Sequence, residues 1–304
     1  MRFQLIFLTV ALLLMTASFF GQGSSPIPQP DQANLTGLTT PIEVKFSDGR
    51  LLQGSGFFYF EFGPDDPNAQ GPHWRAVTHV YVVTAKHIIQ PTRLKELTKF
   101  TYAMRVGDGD HVNWHLFDLN STDLGKRLHL CKKDEIDVAV IDVTDILNTE
   151  MRKPLEQRAQ WLNFNGANSD EFPGKSPIQV QPGDDLVVIG YPSGFYDQFN
   201  KLPALKTGLL NTPIGLHYNG RDAFLMDFKY REGSSGSLII SKPTHIGFPK
   251  DGGIQSSIQP QYVFLGVYEG ETYWNDVESQ RADMGIGWYF YNVEEAIKNP
   301  PLIR

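Results

Sequence analysis

Residues 231–240 form a glycine- and serine-rich turn followed by an apolar segment, and their residue types are the ones in this chain most suited to catalysis. Within it Ser235 stands between Ser234 and Gly236, with Gly233 just before them. A serine held on a tight turn can expose its hydroxyl while neighbouring backbone N–H groups point the same way, as nucleophilic acyl transfer requires. Ordinary turns have the same composition. The hypothesis of a nucleophile therefore requires a base and an orienting acid elsewhere in the chain.

Two further residues could supply that base and that acid. His87 follows the β-branched and aromatic segment 79–84, a predicted buried strand whose end could present an imidazole to a cleft. Asp137 lies inside or at the edge of the apolar segment 136–143. A carboxylate there is costly to bury unless it is paired, and a histidine N–H is a suitable partner. Taken singly, the two could equally be a loop histidine and a strand-edge aspartate facing water.

The rest of the chain consists mostly of short β-like segments separated by turns that draw on 28 glycines and 20 prolines. The segment 91–100 predicts a short helix or a helical loop, 151–167 is ambiguous and could carry one short helix, and 293–298 predicts a helix that ends before Pro300. A doubly wound α/β sheet would need a helix after nearly every strand. The pattern therefore predicts an all-β fold of barrel type.

Taken together, in the order His87, Asp137, Ser235, these segments resemble a chymotrypsin-fold (trypsin-like) serine protease. The resemblance runs from about Pro41 to the C-terminus and leans towards the bacterial glutamyl endopeptidases and Deg-type proteases. The blocks that carry it are Thr84-Ala85-Lys86-His87, Asp137-Val138-Ala139-Val140 and Gly233-Ser234-Ser235-Gly236-Ser237, with weaker matches at Gly54-Ser55-Gly56-Phe57, 183–190 and 265–270.

The resemblance implies an all-β protein of two six-stranded antiparallel β-barrels with a short C-terminal helix. Its domain would cover residues 41–304, with an N-terminal barrel at about 41–165, a C-terminal barrel at about 175–290 and the helix at 291–299. Ser235 would be the nucleophile, His87 the general base and Asp137 the residue that orients it. The N–H groups of Gly233 and Ser235 would form the oxyanion hole.

The resemblance also implies a substrate pocket formed by Lys229, Tyr230, Tyr268 and Gly270. Lys229 could favour an acidic residue before the scissile bond, or its side chain could turn away to solvent. A protein or peptide substrate is the expected partner, and no cofactor and no metal is expected. Ser234 replaces the aspartate that pairs with a newly cut N-terminus in the zymogen-activated animal enzymes, so activation by that ion pair is not expected here.

Composition and the N-terminus limit the compartment and the partners. The chain has 304 residues with 41% apolar and 20% charged side chains and a net charge of −7, and it contains no Lys/Arg-rich run, which disfavours nucleic-acid binding. One basic residue and the apolar run 5–20 predict a signal peptide at 1–23 and an exported protein, followed by a linker at 24–40. An uncleaved membrane anchor is the alternative, although the run is shorter than the roughly 20 residues of a spanning helix. The oligomeric state stays open.

Three other interpretations compete with the protease. His111 and His115 have a spacing that binds metal only on a helix, and their surroundings predict turn and strand. An α/β-hydrolase would place its histidine well after the serine, and the only later histidine is His245. The third alternative is a catalytically silent protease-like fold that binds peptides or a protein, with the loops 61–79 and 243–261 covering the cleft.

Overall fold

The computed structural model describes residues 35–65, 75–108, 111–162, 164–193, 195–229, 231–249, 252–273 and 281–303. The predicted signal peptide and residues 24–34 of the predicted linker lie outside this part. The described residues contain sixteen strands, in chain order β1 Thr39–Phe46, β2 Leu51–Asp65, β3 Arg75–Thr84, β4 Leu97–Asp108, β5 His111–Leu119, β6 Leu128–Leu130, β7 Ala139–Asp142, β8 Gln160–Trp161, β9 Asp185–Gly190, β10 Ala204–Leu210, β11 Ala223–Asp227, β12 Leu238–Ser241, β13 Thr244–Gly247, β14 Gln255–Gln261, β15 Phe264–Tyr273 and β16 Arg281–Tyr289.

Helices are short and lie between the strands or at the end of the chain. The α-helices are α1 Lys86–Ile89, α2 Ser121–Gly125, α3 Thr144–Met151 and α4 Tyr291–Lys298, and 3-10 turns occur at Pro91–Glu96, Leu155–Gln157, Ser169–Glu171 and Tyr218–Gly220. In the described part, no helix has the length and apolar character needed to cross a membrane.

The strands form one closed barrel and one open sheet. The barrel has six strands in the order β10-β11-β16-β15-β12-β9, as predicted for the C-terminal half. The prediction of a second closed six-stranded barrel is wrong: the N-terminal half is an open eight-stranded sheet in the order β5-β4-β1-β2-β3-β7-β6, with β8 paired to β4. Its end strands β5 and β6 are not hydrogen-bonded to each other in the described part of the chain. Strand patterning identifies strands but not whether the two end strands of a sheet meet.

Two local predictions also differ from the structure, and one helix was not predicted. Residues 91–100 form a 3-10 turn followed by the start of β4, because the leucines and Phe100 pack under the first sheet. The predicted strand 136–143 is shortened to β7, so Asp137 precedes the strand. Helix α3 was not anticipated; its first turn is helped by the Asp142 carboxylate, which accepts a hydrogen bond from the Thr144 N–H at 2.9 Å.

A continuous hydrophobic core joins the two sheets beneath the site. Phe57 and Val83 of the first sheet pack in one buried cluster with Ile189 and Trp288 of the barrel, and Val293 of α4 belongs to the same cluster. Apolar burial of this kind is the main stabilising term in folding. The core fixes the first sheet against the barrel, so residues at the strand ends of both can meet in one cleft.

The segments 61–79 and 243–261, which were predicted to be loops that could cover the cleft, form β-sheet in part. Residues 61–65 and 75–79 extend β2 and β3, while 66–74 lie outside the described residues. The segment 243–261 contains the two-stranded β13–β14 sheet. No described residue of either segment forms a hydrogen bond with Ser235.

Candidate active site

His87 and Asp137 are brought together by the pairing of β3 with β7. Thr84, the last residue of β3, is opposite Ala139, the first residue of β7. His87 lies in α1, three residues after Thr84, and Asp137 lies two residues before Ala139. The register therefore places the imidazole and the carboxylate side by side, which no local pattern in the sequence dictates.

Both oxygens of the Asp137 carboxylate are used to hold His87. Oδ2 lies 2.6 Å from His87 Nδ1, and Oδ1 accepts a hydrogen bond from the His87 backbone N–H at 2.7 Å. Asp137 is buried, while the side chain of His87 is half exposed. When the Nδ1–H donates a hydrogen bond to the carboxylate, Nε2 of the neutral imidazole is left as the acceptor, and a general base needs that tautomer.

The electrostatics around His87 favour the imidazolium. Burial acts to lower the pKa of His87, but the hydrogen bond to Asp137 and the charges of Asp137 and Glu269 outweigh it, so the pKa lies above the usual 6.5. Glu269 is itself paired, because Arg221 Nη2 donates to its Oε2 at 2.9 Å. Burial and the neighbouring Asp137 raise the pKa of Glu269, against the opposing effect of Arg221. Sequence reasoning assigned no role to Glu269, which lies within the weakly matching segment 265–270.

Ser235 is carried by a turn whose backbone geometry depends on glycine. The N–H of Ser234 donates to the Arg231 carbonyl at 3.0 Å, with Gly233 at φ +82°, as a type II turn requires at its third residue. Gly236 follows at φ +83°, and its N–H donates to the Tyr268 carbonyl at 2.8 Å. These contacts set the turn between β11 and β12 before any substrate binds.

The N–H groups of Gly233 and Ser235 in this turn have no hydrogen-bond acceptor in the described part of the protein. The carbonyl of Glu232, on the other side of the Glu232–Gly233 peptide, accepts a hydrogen bond from the Ser193 N–H at 2.8 Å. Because the C=O and N–H of a trans peptide point in opposite directions, this contact directs the Gly233 N–H away from Ser193. The two unused donors could bind a developing oxyanion. The importance of the Ser193 amide was not anticipated from the sequence.

Ser55 connects the first sheet to the nucleophile turn, a role that the sequence did not reveal. Its N–H donates to the Ser235 carbonyl and its Oγ to the Gly233 carbonyl, both at 2.8 Å. The same Oγ accepts from the Tyr191 N–H at 2.7 Å, and the Ser55 carbonyl accepts from Thr84 Oγ1 at 2.7 Å. The only sequence signal was the Gly-Ser-Gly block around Ser55. Its function depends on contacts with residues far along the chain.

The three residues of the predicted triad do not all contact one another. Ser235 is buried at the junction of the first sheet with the barrel, yet its Oγ and the His87 ring share no hydrogen bond within the described residues. Catalytic hydrogen bonds are often long in proteins without substrate and tighten in the substrate complex. Hydrogen bonds hold the His87–Asp137 pair and the Ser235 turn separately, and no hydrogen bond between described residues joins the Ser235 hydroxyl to the His87 ring.

The predicted pocket residues are distributed differently from the expectation. Lys229 is exposed and its carbonyl accepts a hydrogen bond from Lys206 Nζ at 2.7 Å, while Tyr230 lies outside the described residues. The ring of Tyr268 is fully buried and packs edge-to-face on Phe228 at 4.9 Å, so this side chain fills the barrel interior and does not line an open pocket. Gly270 faces open space: a Cβ there would have no neighbour within 4 Å.

His111 and His115 lie on a strand, as their surroundings predicted. Both residues lie in β5, where residues four apart are separated by roughly 13 Å. That separation is too large for two ligands of one ion. Across the described ranges, no group of three or more His, Cys, Asp or Glu side chains could hold a metal ion.

Comparisons with known proteins give structural similarity alone. No family model matches the chain, and no curated protein is significantly similar to it. Similar solved structures include the active form of the Rv3671c protease from M. tuberculosis (16% identity, 91% of this chain and 87% of that chain, TM-score 0.44) and the protease Anisep from Arthrobacter nicotinovorans (13%, 87% and 98%, TM-score 0.44). Another is a scabies mite inactivated protease paralogue (12%, 90% and 96%, TM-score 0.43). Similarity this distant leaves the activity to be inferred from the chain's own residues.

Proposed function

We propose that this protein is a chymotrypsin-like serine endopeptidase that hydrolyses peptide bonds through His87, Asp137 and Ser235. One observation carries the proposal: a buried carboxylate holds His87 through both oxygens, Oδ2 at the ring Nδ1 and Oδ1 at the backbone N–H, and the Ser235 turn has unused N–H donors at Gly233 and Ser235. Nothing in a simple structural turn requires that combination. It meets the needs of acyl transfer for a base, a nucleophile and an oxyanion site.

In the proposed reaction, Ser235 Oγ attacks the carbonyl carbon of the scissile bond as its proton passes to His87 Nε2. The imidazolium is stabilised by Asp137, and the negative oxygen of the tetrahedral intermediate is held by the N–H groups of Gly233 and Ser235. His87 then returns the proton to the leaving amine, and the acyl-enzyme is hydrolysed by water in the same way. No cofactor takes part.

Export is part of the same proposal. The N-terminal segment would direct the protein out of the cytoplasm and be removed near Gly23, after which the domain would act on protein or peptide substrates. N-terminal sequencing of the protein recovered from its native cells tests this: a mature chain that begins near Ser24 supports it. A chain that still starts at Met1 in the membrane fraction would support the anchor.

The decisive experiment is covalent labelling with a fluorophosphonate probe. We expect the wild-type protein to be labelled at Ser235, as identified by peptide mass spectrometry, and Ser235→Ala to be unlabelled while it keeps the wild-type circular dichroism spectrum. Ser234→Ala is the matched control and should still be labelled. Removal of a triad member should lower kcat by about 10⁴-fold or more.

A second candidate function is a catalytically silent fold that binds peptides. It is favoured by one observation, that Ser235 Oγ makes no hydrogen bond to His87 in the described structure. The labelling experiment separates the two functions, because a folded wild-type protein that never labels at Ser235 would be the binder.

A further inference from the structure

A cavity of about 410 Å³ opens between the first sheet and the segment that follows β9. This volume lies in the range of ordinary small-molecule and side-chain binding pockets. It is separate from the predicted pocket residues Lys229, Tyr268 and Gly270, none of which lines it. Much of its wall is apolar or aromatic, contributed by Ile42, Ala103, Trp114, Leu116, Tyr191 and Tyr196.

The cavity adjoins one flank of the nucleophile turn. That turn is bound on one side to β15, through the hydrogen bond from the Gly236 N–H to the Tyr268 carbonyl. Its other side contacts the cavity wall: a Cβ on Gly54 would lie 3.2 Å from the Ser235 carbonyl, and the Ser193 N–H holds the Glu232 carbonyl. Both Gly54 and Ser193 line the cavity.

Which half of a substrate reaches the cavity depends on the strand along which the other half lies. An extended peptide runs in opposite directions from the bond that is attacked, and consecutive residues advance by about 3.3 Å. If the acyl half lies along β15, the half that leaves as the amine passes Ser193 and the cavity mouth. The inference therefore concerns residues after the scissile bond, and it rests on the proposed function.

The chemistry of the wall selects an uncharged side chain. Three rings form an edge-to-face chain, with centroids 5.5 Å apart for Trp114–Tyr191 and 5.4 Å for Tyr191–Tyr196. Such arrays bury large apolar area and accept a further ring at an edge or face. Tyr191 is itself buried and its hydroxyl donates to the Lys201 carbonyl at 3.2 Å, so the cavity floor is fixed in place.

The two ionic side chains at the rim do not make the cavity charged. Lys99 Nζ lies 3.2 Å from Asp118 Oδ2, and Glu43 Oε1 lies 3.1 Å from Lys45 Nζ. Asp118 and Lys45 are outside the cavity lining, so each rim charge is already compensated. A charged ligand side chain would lose its hydration there without finding an unpaired counter-charge.

We propose that this cavity is a substrate-binding pocket for an aromatic or large aliphatic side chain on the leaving-group side of the scissile bond. Trp114 and Tyr196 are its main selecting side chains, and Tyr191 forms its floor. The pocket would add a sequence requirement that is independent of the residues preceding the bond.

The test is a digest of a proteome-derived peptide library, with the residues on both sides of every cleaved bond identified by mass spectrometry. Wild type is compared with Trp114→Ala, Tyr196→Ala and the control Phe199→Ala. Phe199 is an exposed aromatic residue in the same segment as Tyr196 but does not line the cavity. The two cavity variants come from different elements, so a folding defect in one does not decide the result.

We expect wild type and Phe199→Ala to enrich aromatic and large aliphatic residues at one position after the scissile bond. In either cavity variant that selectivity, as a ratio of kcat/KM values against alanine, should fall roughly tenfold, while the preference before the bond stays the same. Cleavage by wild type without such enrichment overturns the inference and leaves the proposed function standing. A wild-type protein that neither cleaves the library nor labels at Ser235 overturns both.

Discussion

The open sheet and the closed barrel contribute to the site by different physical means. His87 and Asp137 belong to the open sheet and are held by hydrogen bonds to a carboxylate, so their function depends on charge and protonation. Ser235 belongs to a turn entering the barrel and is held by backbone hydrogen bonds around Gly233 and Gly236. The proposed base half, His87 with Asp137, is therefore tuned electrostatically, and the proposed nucleophile half, the Ser235 turn, sterically. Substitutions should disable the two halves in distinguishable ways.

The largest effect is expected from Asp137→Asn in the base half. An amide at this position cannot enforce the same imidazole tautomer or stabilise the imidazolium, so kcat should fall by about 10⁴-fold, or about 5 kcal/mol in activation free energy. The measurement is kcat on any peptide substrate identified in the library digest. Asp134→Asn, an exposed neighbour, is the control and should keep wild-type kcat. A loss of less than tenfold in Asp137→Asn would mean that the carboxylate is structural.

In the nucleophile half, Gly236→Ala should act through the backbone. A Cβ on Gly236 would lie within 3.0 Å of the Ser55 carbonyl, Thr84 Oγ1 and the Ala85 N–H, and φ is positive. Strain and overpacking together should lower the free energy of unfolding by about 3 kcal/mol, measured by urea denaturation. The control is Gly49→Ala, which has φ +87° but no atom within 4 Å of the added Cβ, and should lose only about 1 kcal/mol. Equal losses in both variants would show that crowding at Gly236 is unimportant.

Ser55 tests whether the two halves are coupled. Ser55→Ala would leave the Gly233 carbonyl and the Tyr191 N–H without their buried partner, at a cost of about 1–3 kcal/mol. Ser241 is also buried, and its Oγ accepts from the Val263 N–H at 2.9 Å inside the barrel, so Ser241→Ala should lose similar stability. Only Ser55→Ala should slow the labelling of Ser235, by about tenfold. The same slowing in both variants would attribute it to general destabilisation.

The sequence predicted those parts of the site that depend on local pattern. His87 follows a strongly apolar strand and Ser235 lies between glycines, so each stands out within about ten residues of sequence. The hydrogen bond from Ser55 to Gly233 spans 178 residues, and no local pattern encodes it. The same limit explains the wrong second barrel, because closure depends on whether β5 and β6 meet. Glu269 was missed because its charge matters only through its proximity to His87.

Glu269 offers the smallest and most specific test of the electrostatic half. The pKa of His87 is lowered by burial but raised more by Asp137 and Glu269, which places it above 6.5, and only the neutral imidazole can act as a base. Reactivity of Ser235 should therefore rise with pH through the His87 pKa. Glu269→Gln removes one negative charge and leaves the Arg221 cation without its counter-charge, and both changes disfavour the imidazolium.

We accordingly expect the acid limb of the fluorophosphonate labelling rate to move to lower pH in Glu269→Gln. The variant should label faster than wild type below the wild-type midpoint and at the same rate well above it, where His87 is neutral in both. Glu135→Gln is the control, since it removes the same charge from an exposed carboxylate two residues from Asp137 and should leave the midpoint in place. A midpoint that stays in place, or that moves equally in both variants, would show that Glu269 does not act on His87. The negative charge that raises the pKa of His87 would then come from Asp137 alone. The electrostatic control that distinguishes His87 from the sterically held Ser235 turn would depend on that single carboxylate.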